Sequence, residues 1–452
     1  MKTTTTNGMA AYTTTLKQCV DLFYNIGASR GKDIIPQFVL AKSENKDSAV
    51  RIAQWARDIR GGSGERKLYT DILTYLAKSD KATCAKLIAK TPEIGRFDDL
   101  LVLMGTPMES KVLDLIQAEL AKENGLCAKW CPRKGPIANT IRKHLDMTPK
   151  EYRKLVVGLT NVVEQKMCSK DWDSIEFDKL PSVASARYQK AFSKNVGERY
   201  GAYIKALEKG KTTINAGAVY PYDVVKSVEH GVSAVADQQW KALPNFMEGS
   251  DERLIAVVDT SGSMTCAAGR NGTVSCLDVA VSLGLYISER SEGIFKNKFI
   301  TFSNRPELQT VSGTLTQRVQ QMKKADWKMN TNIEAVFKLI LSAGTMYSVP
   351  ESQMPTKILI LSDMQFDQCA QNVGETGLAM IARQFEEAGY RMPQIVFWNI
   401  NSSGNVPTTF NKVGVALVSG FSPSIMKNIL ACKDMDPETM MKSVINVERY
   451  DW

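Results

Sequence analysis

The chain has 452 residues, 44% hydrophobic and 23% charged, which exceeds one core and points to two soluble globular domains. No apolar run approaches the roughly 18 residues that cross a bilayer, and nine scattered cysteines argue against a disulfide framework and for a reducing, cytoplasmic setting. The net charge of +9 sits unevenly: residues 1–250 carry 38 Lys/Arg against 28 Asp/Glu, whereas residues 251–452 carry 19 against 20, so an anionic partner is expected at the front half.

The opening MKTTTTNGMAAYTTT has no apolar core and reads as a short flexible lead-in, not a secretory signal. Two amphipathic segments follow, LKQCVDLFYNIGASRGKDIIPQFVLAKSE and KDSAVRIAQWARDIR, with apolar residues three and four apart. Asp47-Ser48 is expected to cap the second and Gly61-Gly62 to end it. Further helices are predicted in GERKLYTDILTYLAKS, KATCAKLIAKTPEI, FDDLLVLMG, ESKVLDLIQAELAKEN, PIANTIRKHLDMTPKEYRKLVVGLTNVVEQKM and VASARYQKAFSKN. MTPKE and LPSVA place proline at a first helical turn. Successive helices with short connections point to a solenoid-like stack, without a strict period.

From about residue 253 short apolar runs (LIAVVD, NKFITFS, TKILILSD, QIVFWNI) alternate with helical stretches such as CLDVAVSLGLYISERS, NIEAVFKLILSAG and GLAMIARQFEEAG. That alternation predicts a parallel sheet covered on both faces. The expected division is a helical-repeat domain over 1–250, a doubly wound α/β domain over 251–432 and a tail over 433–452, with KALPNFMEGSDER at the junction. INAGAVYPYDVV (214–225) reads as a packed turn near it.

In an open parallel sheet, ligands collect at the carboxyl ends of the strands. Asp259, Ser261 and Ser263 follow the first apolar run, Thr331 enters a helix in WKMNTNIEAVF, and Asp363 ends KILILSD. These are hard oxygen donors with two carboxylates, suited to magnesium, or to manganese or calcium in its place. The two serines could instead cap the following helix. A serine hydrolase lacks its histidine, because the chain holds only His144 and His230, and no GxSxG elbow is present. Phosphoryl transfer lacks a GxxxxGK[ST] loop. Cys127 and Cys131 lack a second pair for zinc, so buried free thiols are expected.

The DxSxS pattern with its distant Thr and Asp resembles the von Willebrand factor A domain and its metal-ion-dependent adhesion site. The resemblance implies that Ser261, Ser263 and Thr331 supply hydroxyl oxygens, while Asp259 and Asp363 act mainly through bridging waters. An open coordination position would accept a partner carboxylate or water. Met329-Asn330 stands where that family often has Gly-Gly, which leaves the loop geometry there open.

RIAQWARDIRGGSGERK (51–67) and TPEIGRFDDLL resemble the TROVE proteins, the Ro autoantigen group, in which a helical module precedes an A domain. Phrases such as LCAKWCPRKG, INAGAVYPYDVVKSV, WKMNTN and SDMQFD are similar to a TROVE-like family of plants, fungi and viruses. The Ro resemblance implies a HEAT-like helical ring closed by the A domain, with single-stranded RNA ends in a basic hole and structured small RNA on the outer surface. RNA contact is assigned to Lys129, Arg133, Lys134, Arg142, Lys143 and His144, and to Arg57, Arg60 and Arg66 around the Gly-Gly turn. Lys150, Arg153 and Lys154 extend the first row, and Trp130 offers a flat face. Each has a bland alternative: Arg57 and Arg66 paired within a helical joint, Trp55 and Trp130 in the core, and the Lys/Arg row as a solvated surface. The leading expectation is a monomeric, non-enzymatic RNA-binding protein. Its rival is a metal-dependent protein–protein adhesion or assembly scaffold that grips an acidic partner residue. A nuclease would need a general base that the pattern does not supply.

Overall fold

A short antiparallel hairpin pairs β1 (Lys2–Thr4) with β2 (Ala10–Tyr12), and six further strands form one sheet. They are β3 (Leu254–Asp259), β4 (Lys298–Phe302), β5 (Leu308–Thr310), β6 (Lys357–Ser362), β7 (Gln394–Asn399) and β8 (Val415–Ser419). Their order is β5-β4-β3-β6-β7-β8, parallel except for the β4–β5 edge. The computed structural model describes the chain apart from residues 1, 7, 9, 218, 230–232, 269–273, 303–304, 325–331, 367–374, 403 and 434. Thr331 and His230 therefore lie outside the described residues.

The expected helical front and doubly wound sheet are both present. Strands β3 and β6 are buried along their whole length, as all-apolar runs in a parallel sheet require. Ile255, Val257, Ile358, Ile360, Ile395 and Phe397 alternate onto one face, where Phe337, Ile340 and Phe385 of two helices cover them. The helix Cys276–Arg290 covers the other face of β3. Gly284 permits this approach: a Cβ there would stand 2.5 Å from Val258 Cγ2.

The chain forms two compact units, and they depart from a division at residue 250. One unit comprises Met1–Ile52, Gly61–Ser63 and Val219–Arg449; the other comprises Ala53–Arg60, Gly64–Ala218 and Tyr450–Trp452. The helix Gln18–Ile26 belongs with the sheet because Ser419 at the end of β8 holds its C-terminus. The Ser419 hydroxyl donates to the Phe23 carbonyl at 3.0 Å and accepts from the Gly27 amide at 3.2 Å. The helix Pro221–Glu229 packs on Cys276–Arg290. Residues expected as a tail include the helix Pro437–Ile445, which buries Met440, Met441, Val444 and Ile445 and packs on β8.

In the second unit each helix packs mainly on neighbours in sequence. Caps set the boundaries: Asp80 accepts from Thr83 N at 3.2 Å, and Asn124 accepts from Leu126 N and Cys127 N at 3.0 and 3.2 Å. Thr148 and Glu151 form a reciprocal capping box ahead of Pro149–Leu159, with Pro149 at its first turn. Two local expectations need correction. The helix Lys46–Arg57 is capped two to three residues earlier than predicted, with Asn45 Oδ1 accepting from Ser48 N at 2.9 Å, while Asp47 pairs with Arg51. FDDLLVLMG forms the tighter 3-10 turn Phe97–Leu103. Among the described residues no helix is long and apolar enough to cross a membrane.

Candidate metal centre and basic face

Parallel pairing of β3 with β6 sets Val258 opposite Leu361, so their carboxyl ends emerge side by side. Strand order runs outward in both directions from this pair, to β4 on one side and to β7 and β8 on the other. That is the switch point where an open sheet leaves a crevice. Asp259 closes β3 and is fully buried; Asp363 follows β6 and is 4% exposed. Asp259 Oδ1 accepts from the Ser261 amide at 2.9 Å and Oδ2 accepts from the Ser362 hydroxyl at 2.5 Å. Ser261 and Ser263 hydroxyls lie 3.0 Å apart, and the Ser263 side chain hydrogen-bonds Asp363. Four of the five expected ligand residues are thus brought together, and Thr331 is the fifth.

Burial and the neighbouring Asp363 charge push the Asp259 carboxyl up to about 6, against hydrogen bonds from Ser362 and Ser261 that lower it. Asp363 is also raised, chiefly by burial. Lys32 is the nearby cation, yet its ammonium donates to Asn401 Oδ1 at 3.0 Å and to the Ser402 carbonyl. Two buried carboxylates against one diverted lysine leave negative charge to be neutralised. The Thr260 hydroxyl is buried without a hydrogen-bond partner among the described residues. Among the described residues no three His, Cys, Asp or Glu side chains cluster as a metal site. The donors here are two carboxylates and two hydroxyls, a hard set that fits magnesium, manganese or calcium. Asp259, Asp363, Ser261 and Ser263 could hold such an ion, which would supply a Lewis-acidic position at the exposed Ser263 rim.

The arginines around the Gly-Gly turn divide. Arg57 is buried, and its Nε and Nη2 both reach Asp99 Oδ2 at 2.7 Å. A surface RNA contact by Arg57 is therefore corrected to an internal ion pair. Arg66 is half-exposed, with Nε 2.5 Å from Asp99 Oδ1 and Nη2 2.7 Å from Asp98 Oδ2. Arg60 is exposed. Gly95 makes room for this network, since a Cβ there would sit 2.5 Å from Asp99 Oδ2 and 2.9 Å from Arg57 Nε. The partners Asp98 and Asp99 arrive from a turn more than thirty residues away.

Arg133, Lys134, Lys143, Lys150, Arg153 and Lys154 are all exposed. Arg133 and Lys134 precede, and Lys143, Lys150, Arg153 and Lys154 lie on, two helices whose Ala138, Ile141, Tyr152 and Val156 turn inward. Tyr152 Oη ties the preceding loop by donating to the Pro132 carbonyl at 2.9 Å. Arg142 is half-buried instead, donating to Asn139 Oδ1 at 3.0 Å and to the Met147 carbonyl at 3.3 Å. His144 Nε2 lies 3.2 Å from Asp114 Oδ1. Trp55 is in the core, whereas Trp130 is half-buried with the Arg96 guanidinium 3.9 Å from its ring centroid and Lys129 Nζ at 5.2 Å. Cys127 and Cys131 are free and buried.

Residues 253–450 match the model of a domain of unknown function, DUF7788, and residues 138–264 match that of another, DUF2828. Over 503 aligned residues the chain is 30% identical to the uncharacterized protein L728 of Acanthamoeba polyphaga mimivirus, spanning 98% of this chain and 86% of that protein. The chain belongs to the L728 family. Among solved structures it is similar to the Ro (RSR) protein of Deinococcus radiodurans, 12% identical with a TM-score of 0.47, over 95% of this chain and 99% of that one. In this L728-family chain the DUF7788 match holds Asp259, Ser261, Ser263, Thr331 and Asp363, and the DUF2828 match begins within the helix that carries Arg142 and Lys143. The Arg57–Asp99–Arg66 network precedes both matches.

Sequence reasoning missed Ser362, Lys32 and Arg96. Ser362 was visible as the residue before Asp363, and parallel register would have set it beside Asp259. Lys32 carries no local signal, since Asn401 and Ser402 come from a distant segment; Arg96 pairs with Asp98 two residues on, but the Trp130 ring beneath it lies 34 residues away.

Proposed function

We propose that this chain is a non-enzymatic, Ro-like RNA-binding protein. It would bind structured or misfolded small RNA and single-stranded RNA ends through its helical unit. The observation that carries this reading is the exposed row Arg133, Lys134, Lys143, Lys150, Arg153 and Lys154 in a unit of marked charge. The helical unit holds 29 Lys/Arg against 21 Asp/Glu, a net +8, whereas the sheet unit holds 28 against 27, a net +1. Phosphates are attracted by such a face, and each one bound releases condensed counterions. The sheet unit, on this reading, is an A-type domain whose Asp259, Ser261, Ser263, Thr331 and Asp363 take magnesium. A filter-binding titration with structured RNA bearing a free 3′ tail tests the RNA reading: tight binding that weakens steeply with salt is expected, and weak, salt-independent binding by folded protein contradicts it.

The exposed Ser263 beside two buried carboxylates favours one alternative, a metal-dependent adhesion scaffold in which a partner's carboxylate completes the metal. Asp259→Ala separates the two: it abolishes partner binding under the adhesion reading and leaves RNA affinity intact under the other.

A further inference from the structure

The Arg57–Asp99–Arg66 network continues to the wall of a large cavity. Asp98 accepts from Arg66 Nη2 at 2.7 Å and from both Nε and Nη2 of Arg96 at 2.9 Å. Arg96 in turn lies over Trp130. That pair forms part of a cavity of about 1010 Å³ within the helical unit, bounded by the helices Gly125–Trp130, Val163–Cys168 and Ser182–Arg187.

The lining combines two kinds of surface. Leu126 and Val183 are 64% and 46% exposed, and both line the cavity, so apolar area stands open to water there. Five cationic side chains face the same space against two carboxylates, Glu164 and Glu176. Glu164 is engaged by the Tyr188 hydroxyl at 2.9 Å, and Glu176 by Lys179 at 2.5 Å. Arg96 is matched by Asp98. Lys129, Lys166 and Arg187 have no ion-pair partner among the described residues. Lys166 Nζ donates to the Ser174 carbonyl at 2.9 Å, which leaves its charge unneutralised; cations lining one space repel, and an anion among them relieves that cost. A ligand that suits the whole lining has a flat apolar part and a phosphate part.

We infer that this cavity binds an unpaired nucleotide of RNA, its base on the Arg96–Trp130 stack and against Leu126 and Val183, its phosphates on Lys129, Lys166 and Arg187. Unpaired bases stack on aromatic rings and on guanidinium planes, which a duplex does not offer. Asp98 holds the Arg96 plane in place beforehand, so the geometry of the stack does not depend on ligand. The inference rests on the reading that the helical unit binds RNA, and it adds where and in which form.

The test uses the full chain, fluorescein-labelled twelve-nucleotide oligouridylate, a twelve-base-pair RNA duplex and an oligoglutamate peptide of equal charge. Two variants are compared with the unmodified chain: Lys166→Glu with Arg187→Glu, and Val183→Trp, which fills the cavity while keeping the charge. Both should lower affinity for the oligouridylate at least 10-fold, and Val183→Trp should change duplex affinity less than 2-fold, with unchanged circular dichroism. Photocrosslinking of 4-thiouridine in the oligomer should label the peptides holding Trp130 or Tyr188. If the unmodified chain binds RNA and both variants bind the oligomer equally well, the cavity assignment is wrong while the RNA reading stands. If oligoglutamate displaces the oligomer at equal concentration, the cavity is a general anion site and the nucleotide assignment is wrong. Failure of the unmodified chain to bind either RNA removes both readings.

Discussion

The Ser362 hydroxyl donates to Asp259 Oδ2 at 2.5 Å and accepts from the Met364 amide at 3.0 Å, joining the ends of two neighbouring parallel strands. It thereby fixes the carboxylate that would face a metal. Supports of this kind typically change metal affinity ~10–100-fold when removed. Ser362→Ala should therefore weaken magnesium or manganese binding by about that factor, at a stability cost of about 1–3 kcal/mol from the unpaired buried groups. Isothermal titration calorimetry and thermal melting check the two effects separately.

Asp259 titrates near 6 in the folded chain and at 3.8 in its absence. A raised acid pKa means that the folded state holds the proton more tightly. The contribution is fully present below the unfolded value and is lost as pH climbs through about 6. In EDTA the sheet unit should lose up to about 3 kcal/mol between about pH 4 and pH 6. Saturating magnesium should restore stability above that range, because it binds the ionised form. Melting temperatures across pH with and without the ion measure this, and Asp259→Asn should flatten the EDTA profile.

Arg57 and Asp99 form a buried pair beneath a glycine with no spare room. Removing Arg57 leaves Asp99 only its half-exposed partner Arg66, so the cost stays below the about 3–5 kcal/mol of a buried charge left alone. Arg57→Ala should lower the melting point of the helical unit accordingly. Gly95→Ala should also destabilise it, by about 1–3 kcal/mol, through overpacking. Whatever fraction remains folded should bind RNA with unchanged affinity, because neither group faces solvent.

Phosphate contacts each change the salt slope by about one. Neutralising Arg133, Lys134 and Lys143 to Gln should lower the slope of log affinity against log salt by about three, assuming each makes one contact. Arg142→Gln should add less, since its guanidinium is occupied by Asn139 and the Met147 carbonyl. Fluorescence anisotropy over a salt series resolves the difference.

Strands such as LIAVVD and KILILSD were legible because burial on both faces leaves a continuous apolar run. Asp259, Ser261, Ser263 and Asp363 were legible because the positions following strand ends are local in sequence. What was not legible depends on distant partners. Arg57 looks like a surface cation until Asp99, 42 residues away, arrives to neutralise it. The helix Gln18–Ile26 reads as the start of the helical stack until Ser419 claims its C-terminus, 392 residues from Gly27. VALVS was overlooked as β8 because a five-residue run after Gly414 has no flanking periodicity to mark it.

The central claim is that the basic helical unit binds RNA through its phosphates. Filter binding of the full chain to a structured RNA with a free 3′ tail, from about 50 to 300 mM salt, addresses it most directly. Contacts by the six exposed cations of the row alone give a slope of log affinity against log salt of about −3 to −5, and a slope at least that steep is expected. A slope near zero, with weak affinity from a folded chain, would contradict it.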